Sequence, residues 1–104
     1  MLASKVVQKL KANWVKAESL DCMAEARIYN TLPNWECFIY AMNPEGEDEI
    51  QYIFNGIDLE VVEAGSLSGL LHIFNREGEY PQIDREYRPR LASEIFNKLR
   101  KEHG

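Results

Sequence analysis

Apolar positions recur at helical spacing at the start of the chain. Ala3, Val7, Leu10, Trp14 and Ala17, with Val6 beside them, set one stripe on a helix over residues 4–20. Ser4 stands where its hydroxyl can cap the first turn. Lys5, Lys9 and Lys16, with Lys11 nearby, fall on the opposite side. The period then changes. Residues 24–30 (AEARIYN) read as a strand, and TLPNW turns the chain through Pro33 and Asn34. Residues 35–42 (WECFIYAM) form the strongest strand pattern. Trp35, Cys37, Ile39 and Ala41 point one way, and Glu36, Phe38, Tyr40 and Met42 the other. Both sets are largely apolar, so this strand belongs at the centre of a sheet covered on both sides.

NPEGEDE, residues 43–49, is a solvent loop, since its four acids are too costly to bury unpaired. Residues 50–54 and 57–62 then flank Asn55-Gly56, the pair favoured in two-residue hairpin turns. That turn sets Phe54 opposite Ile57, Tyr52 opposite Leu59 and Ile50 opposite Val61, all six on a core-facing side. The other side carries Gln51, Asp58 and Glu60 with Ile53 and Val62, which makes it a wet, acidic face. Ser66 caps a helix whose stripe is Leu67, Leu70, Leu71 and Phe74 with Ile73 beside it, and Gly78 ends that element. Gly69 weakens this helix but allows close approach to the sheet. Residues 79–90 (EYPQIDREYRPR) read as an irregular charged linker, because residues before proline avoid helical geometry. Leu91, Ile95 and Leu99, with Phe96, mark a last helix over residues 91–101. Ser93 offers it an alternative cap.

The expected fold is one α+β domain over residues 1–104. An antiparallel sheet of three to four strands, a meander with the Asn-Gly hairpin, is packed by an N-terminal helix and C-terminal helices. At 104 residues a core forms without disulfides or metal. Cys22 and Cys37 are too few for a disulfide scaffold, and Cys37 reads as a buried thiol. No apolar run is long enough to span a membrane. The opening MLASKVVQKLKANW is too rich in lysine for a secretory signal, so a cytoplasmic protein is expected.

Charge divides the chain. The net charge is −5, which disfavours generic DNA binding. Residues 28–75 hold Glu36, Glu45, Glu47, Asp48, Glu49, Asp58, Glu60 and Glu63 and no Lys or Arg. All 12 basic residues lie outside that stretch.

From Trp35 to about Leu99 the chain resembles a domain-of-unknown-function family, the one numbered 2958, of bacterial plasmids and phages. The shared outline is an aromatic strand (WECFIYA), an acidic loop, a strand ending in a glycine turn (YIFNG) and a passage through Ser-Leu into a helix (EVVEAGSLSGLL). A glycine-centred EGEYPQIDREYRP follows. The chain departs from that outline at Glu63, Ala64 and Gly65, where the family shows glycine and an aromatic, and in its basic N-terminal helix. The resemblance implies an accessory protein of mobile elements and carries over no catalytic residue.

Candidate chemistry is sparse. Cys22, Cys37, His72 and His103 have no metal-ligand spacing. Acid–base work needs two groups poised in a cleft, whereas Asp58, Glu60 and Glu63 belong to a wet face without a neighbouring His or Lys. There is no nucleophile elbow and no phosphate loop. No catalytic, cofactor-binding or metal residue is therefore assigned, and a small hydrolase ranks below two other readings. In the first, the chain is a protein-interaction module. Asp58, Glu60 and Glu63, beside Val62 and the aromatics Trp35 and Tyr40, dock a partner with a basic surface. In the second, it binds nucleic acid through Lys5, Lys9 and Lys16 or through Arg85, Arg88 and Arg90, with Tyr87 stacking a base. Against that, Asp84 and Glu86 stand ready to pair with those arginines.

Overall fold

The computed structural model describes residues 2–104. Helix α1 (Ser4–Asn13) leads into a 3-10 segment (Trp14–Ser19). Strands β1 (Met23–Ala24), β2 (Ala26–Thr31), β3 (Asn34–Asn43), β4 (Gly46–Asn55) and β5 (Leu59–Ser66) follow. Then come α2 (Leu67–Leu71), β6 (Gln82–Ile83), β7 (Arg90–Leu91) and α3 (Ala92–Glu102). The described residues build an antiparallel sheet in the order β5-β4-β3-β2-β6 and a small β1-β7 pair. The α+β expectation holds, with five strands in the main sheet where three to four were expected. The stretch 79–90 corrects the linker reading, because β6 extends the sheet beside β2 and β7 pairs with β1.

Helices cover both faces of the sheet. Leu10 of α1 and Leu70 of α2 pack on Ile28, Cys37, Ile39 and Ile50. Ala92, Ile95 and Leu99 of α3, with Ala17, pack on Phe38, Tyr40, Ala41 and Ile53. The expected continuous helix over 4–20 breaks for this reason. Lys16 leaves helical geometry, and the segment after Asn13 crosses from one face of the sheet to the other. Asn13 pins the crossing by donating to the carbonyls of Tyr40 at 3.0 Å and Met23 at 3.1 Å. Ala3 rather than Ser4 precedes the first helical turn, and neither it nor Leu91, before α3, makes a side-chain cap. Ser66 does cap α2, accepting from the Gly69 N–H at 3.0 Å. That helix stops at Leu71, so Ile73 and Phe74 fall outside its stripe and are exposed.

Two register features correct the expected faces. A bulge in β3 between Ile39 and Ala41 swaps the last positions, so Met42 joins the face of Trp35, Cys37 and Ile39 while Ala41 joins Phe38 and Tyr40. In the β4–β5 hairpin Asn55 pairs with Leu59, leaving three residues in the connection instead of two. Gly56 is not at positive φ, so the expected two-residue turn does not form. Asn55 is held elsewhere: its Nδ2 donates to Glu36 Oε2 at 2.7 Å, and its Oδ1 lies 2.6 Å from His103 Nε2. Relative to the expected pairing the shift is odd, and an odd shift turns every side chain of β5 over. Leu59 therefore packs with the α3 side, and Val62 with the α1 and α2 side. The close approach expected at Gly69 occurs at Gly65, where a Cβ would strike the Tyr52 ring.

Candidate functional site

The turned-over register decides where the carboxylates go. Glu60 pairs with Phe54 and Val62 with Tyr52, so both side chains stand on the α1 and α2 side. The Tyr52 hydroxyl is pushed up by burial, with Cys37 and Glu60 adding to the effect. Val61 pairs with Ile53 on the α3 side. The alternation of the strand sets Glu63 with Val61, toward the α3 side, and burial pushes the Tyr40 hydroxyl up to about 12, with Glu63 adding to the effect. Glu60 and Glu63 are both exposed, and Asp58 is exposed in the hairpin loop beside Ile57, which is 95% accessible. The expected acidic face is thus an acidic rim, with its carboxylates on both sides of one edge strand.

β5 is the outermost strand and bonds to β4 alone. Among the described residues, no other group hydrogen-bonds to the backbone of residues 59–64. Trp35 and Tyr40 do not join this rim. Trp35 is buried against Phe54, with ring centroids 5.7 Å apart, and Tyr40 is 1% exposed in the core of the opposite face. The inward alternation of β3 carries both rings into the two cores, which removes them from the docking set.

The expected loop over 43–49 is corrected to strand over most of its length, because β3 runs to Asn43 and β4 begins at Gly46, and its acids are mostly engaged with other residues. Glu47 pairs with Lys11 at 2.5 Å. Asp48 accepts from the Ser66 hydroxyl at 2.6 Å and the Ser68 N–H at 2.7 Å. These bonds hold the Asp48 carboxyl below its ordinary range. Glu47, Asp48 and Ser68 also line a groove of about 520 Å³ between α1 and α2, with Val7, Met42, Leu67 and Leu71 among its apolar walls. Sequence patterns did not signal this groove, because it forms only when α1 lies beside the β3–β4 turn. Nor did they separate Phe74 from the core: its ring lies 4.5 Å from that of Tyr80 on the surface.

The basic residues of the second reading are dispersed over several elements. Lys5 and Lys9 are exposed on α1, and Lys16 on the 3-10 segment. Arg85, Arg88 and Arg90 are exposed as well. Tyr87 is not a stacking platform. Its hydroxyl donates to the Ala24 carbonyl at 2.8 Å, its ring lies 6.0 Å from Phe38, and burial pushes it up to about 12. Asp84 does not pair with the neighbouring arginines as anticipated but binds Arg27 at 2.9 Å.

Both cysteines are free and buried, one in each core, and burial pushes the Cys37 thiol up to about 12. Among the described residues no group of three or more His, Cys, Asp and Glu is placed to hold a metal. No helix among them is long and apolar enough to cross a membrane. No protein-family model, curated protein or solved structure matches the chain.

Proposed function

We propose that this chain is a non-enzymatic interaction module that docks a basic protein partner along the acidic rim of β5. One observation carries the reading. The outer strand of the sheet is open along its backbone and bears exposed Glu60 and Glu63, with exposed Asp58 and Ile57 at its hairpin end. Charge on such a rim speeds encounter and selects partners, and the aliphatic side chains between the acids supply contact area. The carboxylates diverge to the two sides of the strand, so they do not converge on one reacting group as acid–base catalysis requires. An accessory role, in line with the resemblance to the plasmid and phage family, suits such a module. The nucleic-acid alternative loses its stacking residue with Tyr87 committed to Ala24 and Phe38.

The test compares the protein with its Glu60→Lys/Glu63→Lys variant as bait in host lysate, with nuclease and at low and high salt. Both carboxylates are exposed, so the variant keeps its far-UV circular dichroism and melting curve. A protein captured in the presence of nuclease, lost at high salt and lost with the variant is the expected result. Equal capture by the variant would show the rim to be solvated surface only.

A further inference from the structure

A strand paired on one side directs alternate backbone N–H and C=O groups away from its neighbour. On β5 those outward groups meet no partner among the described residues. Residues 59–62 keep regular register with β4, and the ladder slips only between Val62 and Gly65. An open edge of this kind accepts a further strand, with main-chain bonds supplying affinity and side chains selecting the sequence. The selecting side chains here are Glu60, Val61, Val62 and Glu63. Glu60 and Val62 stand on one side of the sheet and Val61 on the other, and the alternation of a strand sets Glu63 with Val61.

A second copy of this edge would bring no countercharge to Glu60 and Glu63, since residues 59–64 hold no Lys or Arg. Like charges directly opposite are destabilising. The fitting complement is basic, aliphatic, aliphatic, basic, and it is the same in either strand direction. Resting on the docking reading above, we propose that β5 takes up an extended partner segment of the form Lys/Arg–aliphatic–aliphatic–Lys/Arg as a sixth strand of the sheet. One basic side chain meets Glu60 on the α1 and α2 side, and the other meets Glu63 on the α3 side. The two aliphatic residues lie beside Val61 and Val62, and the outward backbone groups of β5 complete the ladder.

The probe is the blocked peptide Thr-Lys-Val-Val-Lys-Thr, titrated at low salt to about 1 mM while the amide resonances of residues 59–63 are followed. Two further peptides carry N-methyl groups on alternate amides in opposite phase. In a strand, one phase blocks the edge that faces β5 and the other blocks only the far edge. The expected result is binding by the parent and by one methylated phase, with the other phase weakened by about tenfold or more. Equal binding by both phases, or no binding by the parent, would overturn strand addition. In either of those cases, lysate capture that still depends on Glu60 and Glu63 would leave the docking reading standing. Capture unchanged by Glu60→Lys/Glu63→Lys would remove that reading itself.

Discussion

Arg27 ties one end of the sheet together. Its Nε donates to Glu36 at 2.8 Å and its Nη1 to Asp84 at 2.9 Å, while Asn55 takes the other Glu36 oxygen. One guanidinium thus joins β2 to β3 and to the segment after β6, and Asn55 extends the network to β4. The three charged side chains are about a quarter exposed, so solvent screens them partly. Arg27→Met should lower stability by about 1–2 kcal/mol, because two half-buried carboxylates lose their shared partner. A urea midpoint moved by less than about 0.5 kcal/mol would show that screening dominates. Nothing in the spacing of the sequence singled out Arg27, since Glu36 and Asp84 lie far from it along the chain. Gly56 is a residue whose identity was legible and whose reason was not. It does not supply positive φ; a Cβ there would stand 2.7 Å from the Phe54 ring.

Helix α2 depends on a residue outside itself. It has only five residues, too few to be stable alone, and its start is held by Ser66 and by Asp48 from β4. The Asp48 carboxyl lies below 3.8 in the folded chain because it accepts from Ser66 and Ser68. A carboxyl depressed on folding contributes stability above its unfolded pKa, and that contribution disappears as pH falls through the folded value. The window therefore begins near pH ~4 and extends downward. Melting curves of the protein and of Asp48→Asn should differ most near pH ~6 and converge near pH ~3. A constant gap across that range would mean that Asp48 contributes through packing and not through its charge. The Ser66 cap was legible from local sequence. The Asp48 support was not, because it crosses from another strand.

At the scale of the molecule, two cores on opposite faces of one sheet share the task of excluding water. Each holds groups that resist ionisation: burial pushes Cys37, Tyr40 and Tyr87 up to about 12, from 9.0 for the thiol and 10.0 for the phenols. A group raised on folding contributes stability that is present below its unfolded pKa and is lost as pH rises through the folded one. The fold should therefore weaken from about pH 9 upward, with Cys37 acting first and the tyrosines following. Denaturant midpoints at about pH 8 and pH 10.5 should fall less for Cys37→Ala than for the unsubstituted chain, whatever the offset between them at the lower pH. A parallel fall in the two proteins would exclude the Cys37 thiol as a source of alkaline sensitivity.

What the sequence by itself determined was local. The central strand around residues 35–42 follows from its two apolar sets, the Ser66 start from its hydroxyl, and α3 from the spacing of Ile95 and Leu99. These signals act over one turn or one pleat, so neighbouring residues suffice to read them. The tertiary structure decided the parity of the β4–β5 register, the crossing of the chain between faces after Asn13, and the meeting of α1 with the β3–β4 turn. Each depends on residues that are distant in the chain. Parity matters most for function. With the expected register the acids would share a wet face; with Asn55 drawn to Glu36 and Leu59 packed toward α3, the strand turns over and its charges line an open edge.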